Sequence, residues 1–342
     1  MGGVVNSVGV RSGTGSGLMV DPHIDALLGA GLERVEERLR AAVSSADPLV
    51  AEAARHLVDA GGKRFRPMLV LVAGSFGDPR PEDIVDAAAV MELTHLATLY
   101  HDDVMDEAQI RRGAPSANAR WGNSLAILVG DFLFARAAEL AANLGTEAVR
   151  LQAQTFARLV HGQIAETIGP RDADPIEHHL WVLAEKTGSL IATSSRIGGM
   201  VAGVGGVQLD ALSEYGETIG IAFQISDDLL DIASDATQSG KTPGTDLREG
   251  VPTLPVLYAL ADEDASPDAV RLREILSAGP VTDDALHAEA LTLLRDSAAL
   301  KRARQTVHGY ADKARDALTA LPDVPARAAL ATMCDAVADR SA

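Results

Sequence analysis

The chain has a single cysteine, Cys334. One thiol cannot close an intrachain disulfide, so a disulfide-stapled fold is excluded and a reducing, cytoplasmic setting is expected. Cys334 itself reads as a small buried apolar residue. Aromatic residues make up only 4% of the 342 residues, and Ala, Leu, Val and Gly are plentiful instead. Small aliphatic side chains suit closely packed helices. Basic charge is in deficit: 30 Lys+Arg stand against 48 Asp+Glu, a formal charge of -18. A chain this acidic is a poor partner for nucleic acid. A local basic cluster can still outweigh the global sign for a small anion. No apolar run is long enough to span a bilayer; the best candidate, Ile191 to Leu209, contains Arg196 and several glycines. The N-terminus lacks the basic-then-apolar order of a signal peptide. Asn6 stands where a myristoylation motif starting at Gly2 needs Ser or Thr. Residues 1–20, rich in Gly and Ser, read as a disordered tail, and 21–342 as one domain.

Convincing strand alternation between hairpin turns is absent, as are fixed-period repeats. What is present is helical period along almost every segment. In "PHIDALLGAGLERVEERLRAAV" the residues Ile24, Leu27, Leu28, Leu32, Val35 and Leu39 share one stripe. "DIVDAAAVMELTHLATLYHDDVMD" runs on without Gly or Pro. Loops are expected at Gly61–Gly62, Gly77–Pro81, Arg112–Pro115, Gly169–Pro175 and Ser234–Pro255, the last long enough for an active-site lid. The expected fold is all-α, a single helical domain.

Two acidic clusters break this apolar pattern. Asp102, Asp103 and Asp106 form D-D-x-x-D, and Asp227, Asp228 and Asp231 repeat it in "FQISDDLLDI". On a helix, residues four apart share a face, so Asp102 and Asp106 project together. Alone, such like charges destabilise the helix; a divalent cation between them reverses the sign. Carboxylates with room for water and phosphate are the ligand set Mg²⁺ prefers. Each cluster closes a long apolar helix and precedes a polar loop with basic residues. Two carboxylate walls facing a cavity would hold several Mg²⁺ ions and clamp a diphosphate. The bland alternative is two solvated acidic faces, but those usually intersperse Lys and Arg.

The basic groups suit that ligand. "GGKRFRP" carries Lys63, Arg64 and Arg66, and Lys63 and Arg66 are spaced to converge on one anion. It is not a Walker A loop, because no Ser or Thr follows the lysine. Arg111 and Arg112 follow the first acidic cluster, and the guanidinium fork suits phosphate. His95 lies seven residues before Asp102, on nearly the same helix face. "ELTH", Glu92 to His95, matches half of a di-iron bundle motif, but no second copy exists. Gln224 shares a face with the second aspartate set. Lys186 and Lys241 lie beside Gly, Thr or Pro; either alone would read as a surface charge.

Taken together, "GGKRFRPML", "ELTHLATLYHDDVMDEAQIRRGAPSAN", "GDFL", "EKTGSL" and "FQISDDLLDIASDATQSGKTPGTDLREGVPTLP" resemble, in order, the trans-polyprenyl diphosphate synthases. The resemblance implies the all-α isoprenoid-synthase fold around a deep central cavity, and a homodimer. It implies that Asp102, Asp106, Asp227 and Asp231 hold Mg²⁺, three ions per active site, on an allylic diphosphate. Arg111, Lys186, Thr187, Gln224 and Lys241 would contact that substrate, with Arg111, Lys186, Gln224 and Lys241 assisting the chemistry. Lys63, Arg66, His95 and Arg112 would hold isopentenyl diphosphate. The implied enzyme is a prenyltransferase of the long-chain bacterial type, with no transmembrane segment and transient membrane contact on product release. A short-chain farnesyl or geranylgeranyl synthase, a class I terpene cyclase and a non-catalytic helical subunit remain alternatives.

The growing tail should run down the helix that ends in Asp102. Ala97, Thr98 and, one turn lower, Thr94 and Val90 line that path, and none is aromatic. Phe132, with Phe134, would form a deeper floor. Tyr100 is turned about 200° from Asp102 and should miss the path. A product of six or more isoprene units, such as a quinone side-chain precursor, is therefore expected. Ala97→Phe should shorten the product, which chromatography of the product ladder would read; an unchanged ladder would contradict the assignment.

Overall fold

The computed structural model describes residues 21–233 and 243–340, so the N-terminal tail and Lys241 lie outside the described residues. These residues form two compact units. The first comprises 21–157, 190–216 and 317–332; the second comprises 158–189, the described part of 217–316, and 333–340.

Both units are built from helices, and their starts are written locally. α1 (Pro22–Ala42), α2 (Pro48–Asp59) and α8 (Pro175–Leu183) each begin with Pro behind an Asp cap, whose carboxylate accepts two backbone N–H groups. Proline loses nothing there, since the first N–H groups of a helix have no intrahelical partner. On α1, Ile24, Leu28, Val35 and Leu39 are buried as the stripe requires, with Leu27 and Leu32 at its half-buried edge. α3 (Phe65–Gly74) and α4 (Pro81–Met105) are among the first unit's deeply buried helices. Residues 87–94 of α4 are all nearly fully shielded, so this helix is packed on every side.

The first unit continues with α5 (Ala117–Trp121), α6 (Asn123–Asn143), the first half of α7 (Thr146–Ile168), α9 (Ser189–Val201) and the start of α10 (Gly206–Ala233). α6 packs along α4, and α1 and α3 pack against α4 as well. The second unit holds the rest of α7 and α10, α8, α11 (Thr245–Glu249), α12 (Leu254–Leu260), α13 (Pro267–Ser277), α14 (Asp284–Asp296) and α15 (Ala298–Ala317). α16 (Pro325–Asp339) closes the chain. A π-type turn, Ala184–Gly188, joins α8 to α9. Cys334 is fully buried, as expected. Among the described residues no helix is long and apolar enough to cross a membrane.

Two expectations need correction. A short antiparallel ribbon, β1 (Ile110–Arg111) with β2 (Ala114–Pro115), occupies what was read as plain loop. Its turn residues Arg112 and Gly113 have φ of 53° and 77°, the conformation a two-residue hairpin needs. Strands of two residues are too short to show alternation. The described part of Ser234–Pro255 is not continuous loop either: it contains α11, and α12 begins at Leu254.

Tyr100 also finds its place. It is fully buried, and its hydroxyl donates to Ala53 O at 2.5 Å and accepts from Leu57 N–H at 3.4 Å, both on α2. It is a strut between α4 and α2, turned away from the Asp102 face as expected. Tyr100→Phe should cost about 1 kcal/mol by removing a buried hydrogen bond to Ala53 O, measured as a shift in chemical denaturation at unchanged slope.

Candidate active site

In the first unit the basic residues surround a buried carboxylate. Glu92, on α4, is 2% exposed. Its Oε1 accepts from Arg64 Nη1 at 2.7 Å and lies 3.9 Å from Arg112 Nη2. Arg64 caps α3 in the left-handed conformation, φ 48°. Its guanidinium also bonds both oxygens of Glu36 and Val58 O. Burial opposes its charge, yet Glu36 and Glu92 outweigh burial and raise its pKa. Arg64 is thus consumed inside the protein.

Arg66 is shut in with its Nε unpartnered, and burial pulls its pKa down to about 10 against the pull of Glu92. Arg112 donates to Leu57 O at 3.1 Å and to Gly61 O, and burial lowers its pKa as well. His95 sits among these cations. Burial first, then Arg66, Arg112, Arg64 and Arg111, hold its pKa well below the usual value, so it is neutral. Lys63 is exposed on the loop before α3. Arg66, His95 and Arg112 therefore stand together as expected, in a nest whose cations exceed its carboxylates. An unpaired buried guanidinium edge beside a neutral imidazole donor or acceptor is chemistry that suits an anion such as diphosphate.

The hairpin separates the two arginines that follow the first aspartate motif. Arg112, at the turn, reaches the Glu92 nest, while Arg111 Nε donates to Asp103 Oδ1 at 2.6 Å. Asp103 is fully buried, and burial raises its pKa despite Arg111. It faces inward; Asp102 is half-buried and Asp106 exposed. Asp106 N–H donates to Asp102 O at 2.8 Å, which keeps the pair on one helical face. Of the residues expected to line a product path, Thr94 and Ala97 are fully buried and Thr98 is half-buried. Gln152 approaches Thr94 Oγ1 at 3.5 Å. Phe132 lies beneath the Arg136 guanidinium, whereas the Phe134 ring packs on Phe156 at 4.1 Å and on His101 of α4. Phe134 is thus the phenylalanine on the α4 side.

In the second unit Thr187 Oγ1 donates to Gln224 Oε1 at 3.3 Å, and Gln224 Nε2 donates to Asp228 Oδ1 at 3.0 Å. Burial pushes Asp228 up to about 8, opposed by Gln224 and reinforced by Asp246, Asp227 and Asp231. Lys186 Nζ pairs with Glu166 at 2.5 Å. Asp227 Oδ1 pairs with Arg340 Nη2 at 2.5 Å. Asp231 accepts Asp246 N–H at 3.1 Å on its side chain, and Gly244 N–H on its carbonyl. Lys241 falls outside the described residues.

No group of three or more metal-ligating side chains forms a ready-made cage among the described residues. Mg²⁺ does not require one, because it binds through one or two carboxylates plus water and substrate phosphate. Asp102 and Asp106, partly solvated on one face, fit that donor set. Glu92, Glu36, Glu166 and Arg340 were not singled out as site residues in the sequence. Glu92 alone had a local signal, three residues before His95; Arg340 lies 113 residues from its partner.

Such a helical frame, with paired carboxylates and a guanidinium nest, belongs to the enzymes that handle diphosphates. Comparison with known proteins narrows the class. Residues 47–294 match the family model for polyprenyl synthetase. The chain is 52% identical to the nonaprenyl diphosphate synthase of Mycobacterium tuberculosis, covering 94% of this chain and 95% of that protein. Its structure is similar to geranylgeranyl pyrophosphate synthase of Corynebacterium glutamicum, crystallised with calcium and isoprenyl diphosphate: TM-score 0.85, 47% identity, 94% and 98% of the two chains. It is also similar to a decaprenyl diphosphate synthase of Rhodobacter capsulatus, TM-score 0.84, 35% identity, 94% and 99% covered. The chain belongs to the polyprenyl synthetase family and is a prenyltransferase.

Glu92→Gln would leave the buried Arg64 with one carboxylate in place of two. It should lower stability by about 2–3 kcal/mol, measured by urea denaturation.

Proposed function

We propose that the chain is a Mg²⁺-dependent trans-prenyltransferase that condenses isopentenyl diphosphate onto an allylic diphosphate and makes a long-chain all-trans polyprenyl diphosphate. The observation that carries this reading is the nest of Arg66, His95 and Arg112 around Glu92, on the same helix as Asp102.

Lys63, Arg66, His95 and Arg112 hold the diphosphate of isopentenyl diphosphate. Arg111, Lys186, Thr187, Gln224 and Lys241 hold the allylic diphosphate and stabilise the charge that grows on it as its C–O bond ionises. Mg²⁺ bound by Asp102, Asp106, Asp227 and Asp231 would supply Lewis-acid stabilisation of that leaving group. The double bond of isopentenyl diphosphate attacks the allylic cation, and the departing diphosphate takes the proton. His95, held uncharged by burial and the surrounding arginines, would offer an imidazole N–H to the diphosphate as a hydrogen-bond donor.

None of Thr94, Ala97 and Thr98 is aromatic, which supports a product of six or more isoprene units and a quinone side chain as its use. A short-chain product is the second reading, favoured by the similarity to a geranylgeranyl synthase. Elongation assays with labelled isopentenyl diphosphate and several primers separate the two. The same reading includes three Mg²⁺ ions per site, a cytoplasmic setting with transient membrane contact, and a homodimer. The exposed apolar Ile127 and Leu128 of α6 are side chains that an interface would cover.

Asp102→Ala should reduce turnover by roughly 100-fold or more through loss of a metal ligand, read by incorporation of labelled isopentenyl diphosphate. A wild-type rate at ordinary Mg²⁺ would contradict the assignment.

A further inference from the structure

The segment that carries Lys186 and Thr187 is not α-helical. Ser189 N–H donates to Ala184 O, five residues back, so Ala184–Gly188 is a single π turn between α8 and α9. A π turn inserts one residue into the helical repeat and rotates the side chains that follow it. It is less stable than the α-helix it interrupts, so something outside it must hold it.

The second half of α7 does so at three points four residues apart, which share one face. Arg158 Nε and Nη2 reach Glu185 Oε1 at 2.8 and 2.6 Å. At Gly162, an added Cβ would stand 2.9 Å from Lys186 N and 3.0 Å from Glu185 Cβ, so only glycine permits this approach. Glu166 takes the Lys186 ammonium at 2.5 Å. On the other side, Arg158 Nη1 reaches Glu217 of α10 at 2.9 Å, and a Cβ at Gly188 would meet Glu217 O at 3.2 Å. Two turns further along α10 is Gln224, which bonds Thr187 and Asp228. One guanidinium fork therefore ties the π turn to the register of the helix that bears the second aspartate motif.

We propose that Arg158, Gly162 and Glu166 form a positioning seat for this turn, and so set where Lys186 and Thr187 meet the allylic diphosphate. None of the three touches substrate in this arrangement except through the turn; Glu166 is the holding partner from which Lys186 is drawn by the stronger charge of a diphosphate. The inference rests on the reading of Lys186 and Thr187 as allylic-diphosphate ligands.

The test is Arg158→Gln beside Gly162→Ala, which disturb the same turn through different atoms. The KM for the allylic diphosphate, and the Kd of an unreactive allylic thiodiphosphate measured by calorimetry, should rise about 10- to 100-fold in both. The KM for isopentenyl diphosphate should stay within about twofold, since its candidate ligands lie on other elements. A general loss of structure would raise both KM values together, and that result, or two folded variants with unchanged allylic KM, would overturn the seat. If Arg158→Gln does not fold, Gly162→Ala decides alone. Wild-type protein that fails to elongate an allylic diphosphate would instead strike at the proposed function.

Discussion

The buried carboxylate of Glu92 is the constraint on which the first unit's chemistry depends. Three guanidinium groups near one another in a packed interior repel, and desolvation adds to the cost. Glu92 and Glu36 offset that repulsion by binding Arg64 from two sides. With Arg64 neutralised, Arg66 and Arg112 can be held close, Arg112 by Leu57 O and Gly61 O and Arg66 with its Nε unpartnered. Burial lowers the pKa of both, and the neighbouring arginines add to this against the pull of Glu92. An anion that enters finds donors already oriented, so little reorganisation is needed. The same surplus of positive charge keeps His95 neutral.

The hairpin after α4 solves a second problem. Arg111 and Arg112 are adjacent in sequence yet serve different partners. A regular helix would have put them 100° apart on one element. The turn instead places Arg112 in the left-handed region, φ 53°, where a residue with a Cβ is strained. Its bonds to Leu57 O and Gly61 O hold it there. Arg111, on the ribbon, reaches back to Asp103. The three aspartates of the first motif thereby divide: Asp103 points inward to anchor the arginine, while Asp102 and Asp106 stay on the wetter face.

Irregular backbone plays the parallel role in the second unit. The π turn brings Thr187 to Gln224 and Lys186 to Glu166. Asp227 is meanwhile paired with Arg340 at the end of the chain. Carboxylates of the second motif are thus each engaged by protein groups: Arg340, Gln224 and the backbone of the segment after α10. Their like-charge repulsion shows in Asp228, which is pushed up to about 8 by burial and by its acidic neighbours.

How much of this was legible beforehand follows the range of the forces. The all-α class, the burial of Ile24, Leu28, Val35 and Leu39, and the shared face of Asp102 and Asp106 are consequences of helical period, which acts over four residues or fewer. The sequence alone therefore determined them, and it also carried the ordered motifs that place the chain in its family. The two-residue ribbon and the π turn are too short to leave a period in the residues. The bond of Asp103 to Arg111, the Glu92 nest with Arg64 consumed inside it, the Arg158 fork and the Arg340–Asp227 pair depend on burial and on charges brought together from distant segments. Coulomb energy and desolvation are set by distance in space and by the surrounding dielectric, neither of which is written along the chain, so only the tertiary structure decided them.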